Sequence, residues 1–303
     1  MKYVPIIRCA ENLGCRVIIN ESLKKYTSFK IGGPADVFIN IYNKESLIEL
    51  IKLINKKKLP FFVLGSGTNL VVLDKGYRGI VFKLDGEFKK LEIIDEKYIK
   101  AGSAVLLSDI CVFAKNHGLT GIEFAYGIPG TCGGAIYMNA GAYDGEISQV
   151  IHSSSHIELT GKISSFNKQD FDFSYRKSNY TDEKLVIMSG IFELNHGDKT
   201  EITNKMIDYN QRRNSKQPLE YPSAGSIFKR PPGYFAGTLI QECGLKGASI
   251  GGAQVSEKHS GFIINKNNSS ATDVLKLIEY VQNTVYRKTG VNLKTEVKFL
   301  GQE

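Results

Sequence analysis

The sequence has no C-x-x-C pair, no export signal at its start, no apolar run suited to a bilayer, and none of the short motifs of the commonest hydrolases. Its five cysteines, Cys9, Cys15, Cys111, Cys132 and Cys243, are odd in number and scattered. That argues against a disulfide framework or a zinc site and fits a reducing cytoplasm. His152 and His156 stand four apart, but the serines between them and their strand-like flanks suggest surface residues rather than metal ligands. The apolar stretch in the first ten residues is broken by Pro5 and ended by Arg8, too short for a signal-peptide core. The longest uncharged stretch, 124–143, has the length of a membrane span. Gly127, Pro129, Gly130, Gly133, Gly134 and Gly141 would wreck a lipid-facing helix, so it reads as a buried loop system. No Walker motif, H-E-x-x-H helix, EF-hand loop or G-x-S-x-G elbow occurs, which leaves nucleotide hydrolysis, zinc chemistry and the usual serine-hydrolase layout unsupported.

What is present is ordinary globular composition, 42% hydrophobic and 23% charged, over 303 residues. That length exceeds the point at which one core stops growing, so two or three domains are expected. The net charge of +8 admits nucleic acid, a membrane surface or anionic small molecules as partners. The lysines are dispersed, however, and the runs Lys56-Lys57-Lys58 and Lys89-Lys90 read as solvated element ends.

Residues 44–58 carry Leu47, Leu50, Ile51 and Ile54 on one helical stripe, with Pro60 and a short apolar strand, 61–64, after it. Gly65-Ser66-Gly67-Thr68-Asn69 then connects that strand to Leu70-Val71-Val72-Leu73. Strands follow near 79–84 and 91–94, a helix over 106–116 capped by Gly118, and several strands through 150–194 with a loop at 175–179. A helix from Thr203 stops before Pro218 and marks a boundary near 200; a last helix, 272–288, ends at Gly290, and a closing strand, 295–299, carries Glu296. The fold class is α+β with mixed sheets.

Gly65 to Leu70 resembles the start of a dinucleotide fingerprint, but Leu70 occupies the third glycine position and no helix pattern follows. What survives is a stretch whose backbone N–H groups can converge on a pyrophosphate. A second glycine cluster, 127–142, lets a flat ligand approach the backbone, and Ile128, Ile136 and Tyr137 supply an apolar wall. Two such clusters suit a large cofactor with a diphosphate and a planar ring, the shape of FAD. Downstream, Ser223 to Pro231 and Lys294 to Val297 offer a hydroxyl, Ser226, and a carboxyl, Glu296, as a candidate proton-donor pair. Taken alone, Ser226 also reads as a cap or turn hydroxyl and Glu296 as a satisfied buried carboxylate.

With Thr27 to Ala35, Tyr175-Arg176 and Gly251 to Ser256 added to these stretches, the chain resembles the UDP-N-acetylenolpyruvoylglucosamine reductase (MurB) family over nearly its full length. The resemblance implies an FAD-binding module of the PCMH, or vanillyl-alcohol-oxidase, type in two subdomains, 1–85 and 86–199, with a C-terminal α+β substrate-binding domain, 200–303. It implies NADPH as electron donor and UDP-N-acetylglucosamine enolpyruvate as substrate, reduced to UDP-N-acetylmuramate for peptidoglycan. It also implies a cytoplasmic monomer with no nucleic-acid or membrane partner. The chain is similar to the shorter, type II branch, since residues 176–200 leave little room for the inserted Tyr loop of the longer one.

By motif match, Arg176 is the cation facing the charge that builds on the substrate, Ser226 donates a proton to C2, and Glu296 is the polariser or alternative donor. FAD would be held by Gly65, Ser66, Gly67, Thr68, Asn69 and Leu70, by Ile128, Pro129, Gly130, Thr131, Gly133, Gly134, Asn139 and Ala140, and by Ile187 and Arg213. Tyr175, Lys216, His259 and Lys298 would contact substrate, with Lys216 on its diphosphate. Asp144 stands where many relatives carry Gly, and Arg230 where some carry Asn. Two other readings compete: an FAD oxidase of the same cofactor fold, which leaves the Ser226 and Glu296 pair without purpose, and a basic nucleic-acid-binding protein, which would lack any recognisable reading motif.

Overall fold

The computed structural model describes residues 2–302. Two compact units emerge. The first comprises the chain up to Ile19, Val37–Ser66 and Gly79–Arg213; the second comprises Asn20–Asp36, Gly67–Arg78 and everything from Asn214 onward. Among the described residues the α-helices are α1 (Val4–Asn12), α2 (Lys44–Lys57), α3 (Leu107–Asn116), α4 (Cys132–Met138), α5 (Lys199–Lys216), α6 (Ala236–Glu242) and α7 (Ala271–Thr289).

In the first unit, α2 forms where the apolar stripe predicts it. Asn43 caps its start by accepting the Ser46 N–H at 2.8 Å, and Lys58 ends it in the left-handed conformation at φ 50°. Leu47, Leu50, Ile51 and Ile54 are buried against Ile6 and Ala10 of α1 and Val37, Ile39, Ile80 and Phe82. Each such side chain contributes roughly 1.5–3 kcal/mol by leaving water. Strands Arg16–Ser22, Pro34–Ile41, Tyr77–Leu84 and Phe61–Val63 form a sheet in that order, with Phe61 beside Ile80 and Val63 beside Phe82 in parallel register.

A second, antiparallel sheet of the same unit runs Ile163–Asn167, Ile151–Ile157, Val186–Glu193, Tyr98–Gly102, Leu91–Asp95. Its own core gathers Ile99, Ile110, Cys132, Ile136, Ile151 and Phe192 under α3 and α4. The second unit has a four-stranded sheet, Ser223–Ser226, Phe262–Asn265, Ala253–Val255, Ser249–Ile250, packed with α6 and α7 around Ile227, Ile240, Val274, Leu277 and Val281. Leu70–Val72 and Lys298–Leu300 pair in parallel within it.

Three local expectations change, and one helix appears where none was expected. Part of the glycine-rich stretch 124–143 is helix, not loop: Thr131 caps α4, and Cys132, Ala135 and Ile136, spaced i, i+3, i+4, turn inward. The closing strand starts at Lys298, so Glu296 precedes it. Thr295 bridges Phe228 antiparallel, and the chain then changes partner to pair in parallel with Leu70, which interrupts the strand. His156 is not a surface residue; it is 3% exposed, with Nδ1 at 3.0 Å from the Tyr180 hydroxyl. Helix α1, where only a weak apolar stretch was legible, forms with Pro5 in its first turn, where no intrahelical N–H is needed.

Candidate active site

The residues expected to bind cofactor or substrate divide between the units. Gly65, Ser66, Ile128 to Thr131, Gly133, Gly134, Asn139, Ala140, Tyr175, Arg176, Ile187 and Arg213 lie in the first; Gly67 to Leu70, Lys216, Ser226, His259, Glu296 and Lys298 lie in the second.

In the first unit, the two glycine clusters meet. A Cβ on Gly65 would come within 2.8 Å of the Thr131 hydroxyl, so a close approach between segments far apart in sequence requires that bare backbone. The Gly133 position is equally tight, with a Cβ there 2.9 Å from that of Ser103. Not every amide of the second cluster remains available to a ligand: the Cys132 N–H donates to the Val105 carbonyl and the Gly133 N–H to the Ser103 carbonyl, at 2.8 and 2.9 Å. Ser103, which sequence patterning does not single out, has a buried hydroxyl with no hydrogen-bond partner among the described residues. No local signal distinguishes that serine from any other. Arg213 packs over Gly127, its Cδ 3.0 Å from where a Cβ on that glycine would stand, and burial lowers its pKa. These features fit a ligand that approaches glycine backbone and carries polar, anionic groups.

Arg176 sits at φ +58°, a strained conformation for a residue with a side chain. Its guanidinium donates to the Gly141 carbonyl at 3.0 Å and the Asn139 carbonyl at 3.5 Å, and it lies 4.9 Å from the ring centre of Tyr175. Asn139 is fully buried; its amide donates to the Ser174 carbonyl at 3.2 Å while its oxygen accepts the Ser148 N–H at 2.9 Å. Asn139 thus holds the Arg176 loop. Ser178 adds a further tie, donating to the Tyr137 carbonyl at 2.9 Å. Ile187 is buried in the α3 and α4 core.

In the second unit, Ser226 ends its strand after an irregular register between Ser223 and Ser226, with Gly225 at φ +75°. Such a bulge turns the following side chain away from simple alternation. The Glu296 N–H donates to the Ile227 carbonyl at 2.8 Å, so the two proposed donors sit on adjoining backbone. Asn69 donates its side-chain amide to the Glu296 carbonyl at 3.4 Å, and the Lys298 N–H donates to the Asn69 carbonyl at 3.0 Å. The end of the first glycine loop and the Glu296 segment are therefore neighbours.

His259 is positioned by the Ser256 hydroxyl, which accepts its N–H, and by the Gly261 N–H, which donates to its Nδ1; both distances are 3.2 Å. Burial lowers its pKa against an opposing backbone hydrogen bond, and the nearby cations Lys246 and Lys216 add to the lowering. The Nδ1 acceptor role leaves the proton on Nε2. Lys216 and His259, both expected from sequence, are thus brought near one another, and Lys246 joins them. Lys246 is not among the residues the motifs mark; its only signal is its place between Gly244 and Gly247.

The chain matches known proteins over most of its length. Residues 217–300 match the family described as UDP-N-acetylenolpyruvoylglucosamine reductase, C-terminal domain, and residues 35–167 the family described as FAD binding domain. A UDP-N-acetylenolpyruvoylglucosamine reductase of Caldanaerobacter subterraneus is 49% identical over 95% of each chain. One of Clostridium botulinum is 49% identical over 95% of this chain and 93% of its own. The crystal structure of the Thermus caldophilus enzyme superimposes with a TM-score of 0.81 at 33% identity, covering 94% of this chain and 98% of the other. The fold is the PCMH-type FAD-binding module followed by the MurB C-terminal domain, and the chain belongs to the UDP-N-acetylenolpyruvoylglucosamine reductase family.

Proposed function

We infer that this chain is an FAD-dependent oxidoreductase that uses NADPH to reduce UDP-N-acetylglucosamine enolpyruvate to UDP-N-acetylmuramate, a step of peptidoglycan precursor synthesis. The structural observation that carries the reading is the Glu296 segment held between the Ser226 strand and Asn69 of the glycine loop. FAD, which Gly65 to Leu70, the 128–140 stretch and Arg213 would hold, would supply hydride transfer between NADPH and C3 of the enolpyruvyl group.

The chain's own residues have the remaining work. Hydride arrival at C3 leaves negative charge on C2 and the adjoining carboxylate. Arg176, fixed by two carbonyls, is the cation that stabilises this charge, and a fixed donor at the point of charge build-up is the largest single aid an enzyme gives. Ser226 then gives its hydroxyl proton to C2. A serine is a weak acid, so this assignment requires placement against a strong carbanion base rather than a tuned pKa. Glu296 polarises that hydroxyl or serves as the alternative donor. Lys216, His259 and Lys298 bind substrate, with Lys216 on the diphosphate, where cationic groups suit a dianion. Tyr175, 47% exposed, packs beside the substrate.

The organisation into subdomains 1–85, 86–199 and 200–303 is supported by three separate cores, although Phe29, Ile31, Val71 and Leu73 pack with the last of them. No helix among the described residues is long and apolar enough to cross a membrane. A reducing cytoplasm is consistent with Cys9, Cys15, Cys111, Cys132 and Cys243 all being free thiols.

The test is direct. Purified protein should be yellow with flavin absorption, and under anaerobic conditions should oxidise NADPH beyond one equivalent per flavin only with the enolpyruvyl substrate present. Rapid oxygen consumption without that substrate would indicate an oxidase, and a colourless protein with steeply salt-dependent nucleic-acid binding would overturn the reading.

A further inference from the structure

The strand Tyr77–Leu84 carries one lysine into the interior of the first unit. Val63 pairs with Phe82, and the Leu64 N–H donates to the Phe82 carbonyl at 2.8 Å, so continuing the parallel register sets Lys83 beside Leu64, one residue before Gly65. There the Lys83 ammonium donates a short hydrogen bond to the Gly65 carbonyl. The side chain is largely buried, and burial, then the neighbouring Lys89, push its pKa below the ordinary lysine value, with Asp85 opposing. Asp85 is not its ion-pair partner, since that carboxylate pairs with Lys89 at 2.7 Å. A neutral amide would hold a carbonyl equally well and without the cost of withdrawing a charge from water. A buried ammonium next to the Gly65 loop therefore has a further purpose.

We propose that Lys83 is a cofactor-binding residue: its ammonium fixes the Gly65 carbonyl and supplies positive charge to the diphosphate of the dinucleotide held by that loop. The inference rests on the FAD reading given above. The Gly65 carbonyl takes one of the three ammonium protons, and the other two remain for phosphate oxygens. A carbonyl pinned from the strand side also fixes the orientation of the peptide unit that carries the Ser66 N–H.

Three variants separate charge from shape: Lys83→Gln keeps a donor for Gly65 and loses the charge, Lys83→Arg keeps the charge, and Lys83→Met fits an apolar slot with neither. Apoprotein is titrated with FAD and the quenching of flavin fluorescence gives Kd, alongside the thermal midpoint of each apoprotein. The expected result is that Lys83→Gln and Lys83→Met weaken FAD binding about 10- to 100-fold, as for loss of one charge-assisted contact. Lys83→Arg stays within about threefold, because its charge persists. If either uncharged variant folds and binds FAD like the unmodified chain, the proposal fails, and it fails equally if Lys83→Arg is as weak as Lys83→Gln. Absence of FAD binding by the unmodified chain would instead remove the cofactor reading itself.

Discussion

The Glu296 N–H donates to the Ile227 carbonyl at 2.8 Å, tying the carboxylate-bearing segment to the residue that follows Ser226. One backbone bond thus sets the spacing of the two main-chain segments that carry the groups proposed to manage the proton. Ile227 itself is fully buried, and its N–H donates to the Gly261 carbonyl at 2.9 Å, so this anchor has little freedom.

Replacing the hydroxyl should separate the two halves of the reaction. In Ser226→Ala, flavin reduction by NADPH should proceed at nearly its normal rate while reduction of the enolpyruvyl group slows about 100-fold or more, the scale of a lost general acid. Stopped-flow absorbance of each half-reaction measures this. Equal slowing of both would take Ser226 out of the protonation step.

Arg176 offers a different signature, because its guanidinium reaches two carbonyls at once. Lysine cannot reproduce that fork and is expected to slow the second half-reaction about 10- to 100-fold, with alanine slower still. A Lys variant as fast as the parent would show that the position needs only a charge.

Gly65→Ala tests the close approach of the two glycine clusters. The added methyl would stand 2.8 Å from the Thr131 hydroxyl, which also caps α4. Displacing that cap should cost about 1 kcal/mol of stability and weaken FAD binding. Thermal denaturation of the apoprotein and FAD titration report the two effects separately.

Asp74 joins the second unit's short segment to the start of α7, accepting the Ala271 N–H at 2.8 Å, the Thr272 N–H at 2.9 Å and the Thr272 hydroxyl at 2.7 Å. Burial opposes the charge, but those donors prevail and hold the carboxyl below its usual pKa; the Ser270 N–H, and then that of Gly252, does likewise for Asp273. A lowered folded pKa means stability that is complete above the unfolded value of about 3.9 and lost as pH falls through the folded one. Asp74→Asn should therefore cost about 1 kcal/mol at neutral pH and blunt the acid limb of a urea-denaturation series run from about pH 7 to about pH 2. An unchanged acid limb would contradict the assignment.

Tyr180 is buried at the centre of a polar network, its hydroxyl 2.6 Å from Ser154 Oγ and 3.0 Å from His156 Nδ1. Tyr180→Phe leaves both partners unsatisfied and should cost about 1–3 kcal/mol. His156 is held neutral by burial, so its folded pKa is lowered. That contribution is intact above the unfolded value of about 6.5 and declines as pH drops below it. Chemical denaturation of parent and variant at about pH 7.5 and about pH 5.5, either side of that value, checks both statements.

Much of this molecule was written in local pattern. The stripe Leu47, Leu50, Ile51, Ile54 could bury itself only as a helix, and Gly290 marked the end of α7. The motif stretches likewise identified the family, because chemistry demands particular side chains at particular spacings. What the sequence could not decide was where chain partners change. Thr295 pairs with Phe228 and Lys298 with Leu70, which leaves Glu296 between two pairings rather than within a strand. Burial of His156, the meeting of Gly65 with Thr131, and the seating of Lys83 under the Gly65 carbonyl were equally invisible. Each depends on contacts between segments distant in sequence, and such contacts follow from packing and strand register, which no local run of residues encodes.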